Sequence, residues 1–226
     1  MTRISIIIPV LNEAAIIQET LSRFQNSSDI EIIIVDGGSQ DRTVELAREL
    51  GVKVIVSPQF GRANQMNLGA AAATGNILLF LHADTHLPTG YSEIIQETLS
   101  RPQTVAGAFE LAIDSQEKSL RLVERVVNLR SRFCSLPYGD QAIFLKASIF
   151  REIGGFPDLP IMEDFEFIQC LKKRGKITIA PAKVITSSRR WQKLGIFKTT
   201  LINQLIILGY YLGISPKKLA RLYGHK

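Results

Sequence analysis

The sequence predicts an α/β protein with a mixed, mostly parallel central sheet flanked by helices and a helical appendage at the carboxyl end. Three features of the 226 residues lead there. The first hundred residues alternate short apolar runs with helical stretches at the spacing of βαβ units. The run Ile77-Leu78-Leu79-Phe80-Leu81, between Gly75 and Pro88, is apolar at every position, as befits a strand buried on both faces. Glu13, Asp36 and Asp84 each follow a strand, and in a parallel sheet those strand ends share the edge where open α/β sheets hold ligands.

Residues 4–9 form the first strand, and Asn12 with Glu13 opens a helix to residue 24. Residues 31–36 are the second strand, Gly37-Gly38-Ser39 a turn, and Asp41 the cap of a helix through residue 50. Residues 52–56 are the third strand, the Ala-rich stretch 62–73 a helix, and residues 76–81 the fourth strand. Alternation places His82 and Asp84 on the same side of that strand. A helix over 92–99 and a strand over 105–113 follow. Beyond them the pattern predicts helices over 120–133, 147–153 and 163–173, and strands over 141–145, 177–180 and 184–187. Residues 196–212 read as an apolar helix weakened by Gly209, and Pro216 suits the first turn of a last, basic helix. These elements divide into a body over 1–190, with halves at 1–100 and 101–190, and an appendage over 191–226.

The net charge of +6 is unevenly spread. No Asp or Glu follows Glu166, and thirteen Lys and Arg do. Residues 1–166 hold fourteen basic and twenty-one acidic residues, a net −7. A wholly basic final segment points to an anionic partner. Nothing interleaves aromatic with basic residues as a nucleic-acid surface would, so nucleic acid is not expected. Met1-Thr2-Arg3 leads straight into a strand without a secretory cleavage pattern, and no uninterrupted apolar stretch reaches the ~18 residues of a membrane span. Cys134 and Cys170 are far apart and form no metal or redox pair, which suits two reduced thiols in a cytoplasmic protein.

Two carboxylate sites stand out. Asp36 ends a strand before two glycines that let a ligand approach the backbone; the alternative is a turn-forming role. Asp84, with His82 beside it, suits a metal and a phosphate. His82-x-Asp84-x-His86 also admits a transition-metal reading, weakened by Pro88.

Set in order, Ile6-Ile7-Ile8-Pro9-Val10-Leu11-Asn12-Glu13, Val35-Asp36-Gly37-Gly38-Ser39, Asn67-Leu68-Gly69, Phe80-Leu81-His82-Ala83-Asp84, Gly154-Gly155-Phe156 and Glu163-Asp164 resemble family 2 of the inverting glycosyltransferases across residues 3–175. A narrower likeness, through His82-Ala83-Asp84-Thr85, Gly61-Arg62-Ala63 and Gly139-Asp140-Gln141, is to a bacterial subgroup of sugar transferases, some resembling arsenosugar or carotenoid-glucoside enzymes.

The resemblance implies a GT-A fold, a nucleotide-sugar donor, and a divalent cation, Mn²⁺ or Mg²⁺, on its diphosphate. It implies nucleotide contacts from Pro9, Glu13, Asp36, Arg62 and Asp84. Asp84 matches the last Asp of the family's Asp-x-Asp metal motif, and Asp164 the base that deprotonates the acceptor hydroxyl. At His82 the chain departs from the family's Asp; imidazole can ligate Mn²⁺ but matches Mg²⁺ poorly. Gly139, Asp140, Gln141, Glu163 and Trp191 are the candidate acceptor residues, with an ordinary turn the alternative at 139–141 and a helix-terminus role the alternative for Glu163. Arg189-Arg190-Trp191 is a second phosphate candidate or a basic surface. The apolar-then-basic stretch 196–221 reads as an interfacial membrane element or as a core or homodimer helix, and the former would suit a lipid-linked acceptor. A nucleotidyltransferase, which normally needs a Gly-rich basic loop after its first strand, and an inactive nucleotide-binding regulator are the rival functions.

Overall fold

The structure is a computed structural model describing residues 3–24 and 29–223. The last three residues of the expected appendage, 224–226, lie outside the described residues.

Strands β1 (Ile4–Val10), β2 (Ile30–Asp36), β3 (Lys53–Val56) and β4 (Ile77–Phe80) alternate with helices α1 (Ile17–Ser22), α2 (Thr43–Glu49) and α3 (Arg62–Ala72). Then come β5 (Thr85–His86), α4 (Tyr91–Ser100), β6 (Thr104–Asp114) and α5 (Lys118–Cys134). A 3-10 turn at Gly139–Gln141 leads to β7 (Phe144–Lys146), α6 (Ala147–Ile153), α7 (Glu163–Lys172) and β8 (Lys176–Ser187). Helices α8 (Arg189–Leu194), α9 (Ile196–Tyr211) and α10 (Pro216–Tyr223) close the chain.

All eight strands form one sheet in the order β3-β2-β1-β4-β7-β6-β8-β5. β1, β2, β3 and β4 run parallel, β7 is antiparallel to both neighbours, and β6 and β8 are parallel. The two expected halves therefore share a continuous sheet. β1 is apolar on both faces because both are covered: Ile4, Ile6 and Ile8 pack into one core cluster, while Ile7 joins Ile33, Leu78 and Phe80 in another. After β3 the chain crosses back to lay β4 on the other side of β1, and this reversal opens a crevice at their carboxyl ends.

The shared motifs are explained by packing. The Asn67 side chain accepts from the Phe156 N–H and donates to the Phe156 carbonyl, both at 2.8 Å. Gly155, at φ +78°, leaves room for it; a Cβ there would lie 2.5 Å from Asn67 Oδ1. At Gly75 a Cβ would lie 2.6 Å from Ser5 Oγ, which accepts the Gly75 N–H.

Three expectations are corrected. The first helix starts at Ile17, not Asn12. Asn12 takes φ +55°, and the Asn12 and Glu13 amides donate to Ser39 Oγ and Thr43 Oγ1, so the neighbouring loop takes the donors a helix start would present. The fourth strand stops at Phe80; the chain then turns, closed by Thr85 N–H to the His82 carbonyl at 3.1 Å, so strand alternation does not place His82 and Asp84. The strands expected at 177–180 and 184–187 are one strand whose register against β6 breaks around Pro181, which has no N–H to donate. The helix expected over 196–212 is present as α9 with Gly209 inside it; a Cβ there would meet Leu219 Cδ2 at 2.9 Å, so its bareness seats α10.

Replacing Asn67 with Ala removes both bonds to Phe156 and strands its backbone groups. Chemical denaturation should show a loss of roughly 1–3 kcal/mol with an unchanged slope.

Candidate active site

Three strand ends and two loops build the near wall of the crevice. The loop after β1 and the loop after β2 are stitched together: Gln40 N–H donates to Asn12 Oδ1 at 2.8 Å, and Asp41 accepts from the amides of Ala14 and Thr43. Asp41 thus ties the two loops at the helix start. Asp36, 2% exposed, accepts from Gly38 N–H at 2.9 Å and Ser39 N–H at 3.0 Å through Oδ2. Oδ1 carries only a 3.3 Å contact to Ser39 N–H. The structure therefore shows Asp36 shaping the turn.

Arg189 joins Glu13 to Asp84. Its guanidinium lies 3.1 Å from Glu13 Oε2 and 3.2 Å from Asp84 Oδ2. Burial raises the Glu13 pKa above its usual value, while Arg189 pulls it down. Arg190 instead donates to the Tyr223 hydroxyl and stacks over its ring at 3.9 Å, so the two adjacent arginines serve different walls.

Beneath this lies a chain of polar contacts from α3 to α7. Arg62 Nε donates to Glu163 Oε1 at 2.7 Å, and Arg62 Nη1 lies 3.3 Å from His82 Nε2. Arginine has no acceptor, so Nε2 must accept and the imidazole proton sits on Nδ1. Burial first, then the Arg62 charge, push the His82 pKa down to about 3, leaving the ring neutral. Asp164 follows Glu163 at the start of α7, with Oδ2 accepting from Gly139 N–H at 2.9 Å and Oδ1 from Phe165 N–H at 2.8 Å. Gly139 permits this approach, since a Cβ would lie 3.0 Å from His82 Nε2 and 3.6 Å from Asp164 Oδ2.

Asp84, His82, Gly139, Asp140, Asp164 and Trp191 all line one cavity of about 320 Å³. Its outer wall comes from α9 and α10 through Asn203, Ile206, Ile207 and Tyr223. Three buried polar atoms of residues on this lining, Asp140 Oδ1, Trp191 Nε1 and Asn203 Oδ1, have no hydrogen-bond partner among the described residues. Asn203 was not singled out by sequence; its signal was an amide inside the apolar run 201–208.

Pro9 sits on a smaller adjoining pocket with Arg62, His82 and Asp164. Two acceptor candidates lie off the larger cavity. Gln141 is fully buried, with its amide spent on Ser131 Oγ and the Phe109 carbonyl. Glu163, 2% exposed, faces Arg62 rather than the cavity.

Among the described residues no group of three or more His, Cys, Asp or Glu is placed to enclose a metal ion, which sets aside the His82-x-Asp84-x-His86 reading. His82 Nε2 faces a guanidinium, so it is not presented to a cation in this arrangement. Asp84 lines the cavity with its side chain 26% exposed and pairs through Oδ2 with Arg189 at 3.2 Å; a single carboxylate beside phosphate oxygens is a ligand set that a hard dication would accept.

An α/β sheet with a crevice at its topological switch point belongs to the class of open α/β folds that bind ligands at the carboxyl ends of their strands. Residues 5–155 match the model of Glycosyl transferase family 2, and the chain belongs to that family. It is a glycosyltransferase with the GT-A fold. Over 221 aligned residues it is 28% identical to a PGL/p-HBAD biosynthesis glycosyltransferase of Mycobacterium tuberculosis, covering 88% of this chain and 80% of that protein. Among solved structures, it is similar to the mannosyltransferase PcManGT of Pyrobaculum calidifontis in complex with GDP-Man and Mn²⁺, with a TM-score of 0.64 and 20% identity over 82% of this chain and 56% of that one. It is also similar to residues 1–349 of TarS of S. aureus in complex with UDP, at 0.63 and 18% over 82% and 60%. The chain thus spans less than two thirds of either solved chain.

Burial lifts the Asp140 pKa from the ordinary 3.8 to about 6, opposed by the nearby Arg130 charge and supported by Asp164. The folded state then holds a proton that the unfolded state has released, so Asp140 costs stability as pH rises from about 4 to about 6. Replacing Asp140 with Asn should leave the protein more stable relative to the parent above pH 6. In paired thermal melts that relative gain should shrink to a constant offset below pH 4.

Proposed function

We propose that this glycosyltransferase inverts the anomeric centre, moving a sugar from a nucleotide diphosphate to an acceptor hydroxyl in the 320 Å³ cavity. The observation that carries the reading is Asp164, a carboxylate on the cavity wall held from behind by two backbone amides. Its remaining lone pairs are available to an acceptor hydroxyl. The acceptor oxygen gives its proton to Asp164 and bonds to the anomeric carbon. The bond from that carbon to the phosphate oxygen breaks, and its electron pair leaves with the nucleoside diphosphate. Inversion needs one base on the face opposite the leaving group, which Asp164 supplies.

The donor occupies the crevice at the carboxyl ends of β1, β2 and β4, where Pro9, Glu13 and Arg62 flank the diphosphate and Asp36 Oδ1 offers an acceptor to the base. Asp84 would hold a divalent cation beside the diphosphate, and such an ion would offset charge on the leaving group. Arg189 spans Glu13 and Asp84 in the structure, and its cationic fork suits phosphate equally well. Arg62 stays fixed by Glu163, and burial together with the Arg62 charge keeps His82 neutral, so positive charge faces the diphosphate and an uncharged ring faces the acceptor. Complexes of GDP-Man and UDP in the two structural relatives support a nucleotide-sugar donor, and the Mn²⁺ in one supports the cation. Family membership argues against the nucleotidyltransferase reading.

Replacing Asp164 with Asn should lower turnover by about 10²–10⁴-fold. Binding of UDP or GDP by calorimetry should change little; retained turnover would overturn the assignment of the base. Proton NMR of the product should show an anomeric configuration opposite to the donor's. For Asp84→Asn, calorimetry should show that Mn²⁺ no longer tightens nucleoside diphosphate binding, whereas it does in the parent.

A further inference from the structure

We propose that α5 and α9 together form a surface that lies on an anionic lipid bilayer. On α9, Phe197, Leu201, Leu205 and Leu208 recur at helical spacing on one face, continued by Leu212, and are 49–84% exposed. The opposite face holds the buried Thr199, Ile206 and Gly209. The helix is thus apolar on both faces while the fold covers one. On α5, Leu122, Val126, Leu129 and Phe133 follow the spacing i, i+4, i+7, i+11 and are 54–82% exposed. Val123 and Val127, each one residue beyond a member of that stripe, pack around the buried Leu111, Ile113 and Leu120, as do Trp191 and Ile196 at the start of α9. The two stripes therefore flank one seam. Nine large apolar side chains grouped in this way exceed the scatter normal for a protein surface.

Charge selects the occupant. Lys193, Lys198, Lys217, Lys218 and Arg221 are exposed on and beside α9, and Arg125 is exposed on α5. No carboxylate side chain follows Glu166 to pair with them. Glu124 of α5 is buried and bound to Arg121 at 3.0 Å. A second copy docked by two-fold symmetry would bring these cations against their own duplicates. Anionic headgroups offer the opposite charge, and acyl chains receive the apolar stripes. No helix among the described residues is long and apolar enough to cross a membrane, so the contact lies in the interface plane.

The test is flotation of the full chain with phosphatidylcholine vesicles, with and without phosphatidylglycerol. Recovery with the anionic vesicles is expected to exceed that with neutral ones by at least about tenfold and to fall at high salt. The pairs Phe197→Gln with Leu205→Gln, and Val126→Gln with Phe133→Gln, should each reduce it by about tenfold while leaving the thermal midpoint near the parent's. Lys217→Gln with Lys218→Gln and Arg221→Gln, which leaves the apolar stripes untouched, should abolish the preference for anionic vesicles. Absence of the chain from the floated fraction, equal recovery with neutral vesicles, or parent-like recovery of the α5 pair would overturn the proposal. So would a dimer by light scattering that the α9 pair dissociates, which would make a second copy the occupant.

Discussion

A carboxylate with almost no access to water needs a cation or a set of donors beside it, and Glu163 has Arg62 at 2.7 Å. The residues are 101 positions apart, one opening α3 and the other opening α7. Their pair fastens α3, from the first half of the chain, to α7, from the second. It also sets the next residues in place. Arg62, anchored at Nε, turns Nη1 toward His82 and fixes the ring's tautomer. Glu163, turned inward, leaves Asp164 one step along the helix to face the cavity, where the Gly139 and Phe165 amides hold it. A buried ion pair contributes little net stability when its desolvation is counted, but removing either partner would leave the other charge stranded.

The same economy of placement governs α9. One face walls the cavity through Asn203, Ile206 and Ile207 and reaches α7 through Tyr210 Oη, which donates to Glu166 Oε1 at 2.7 Å. The other carries an exposed apolar stripe. Gly209 lets α10 close against this helix, and Tyr223 at its end meets Arg190 beside the cavity. The carboxyl-terminal helices are therefore part of the site, although the sequence suggested an appendage.

What could be read in advance depended on locality. The strands and their alternation with helices were legible because apolar runs and helical periods are local patterns. Asp84 and Asp164 were legible through motif order, and the structure brings both to one cavity. Gln141 and Glu163 lay in the same motifs yet turn inward, because their partners, Phe109, Ser131 and Arg62, come from distant elements. Asn203 was hidden for the opposite reason: an amide in an apolar helix looks incidental until the cavity it faces exists. The alternation argument for His82 and Asp84 failed because a turn begins at the end of the four-residue strand β4, driven by pairing of Thr85 and His86 with β8, about a hundred residues away.

The sequence by itself determined the sheet's class, the alternation of its first four strands with helices and the family, since each rests on residue types at fixed short spacings. Only the tertiary structure decided which polar groups face the cavity and which are consumed by the fold. That choice depends on which distant donors and acceptors satisfy each buried group first, and no linear spacing records it.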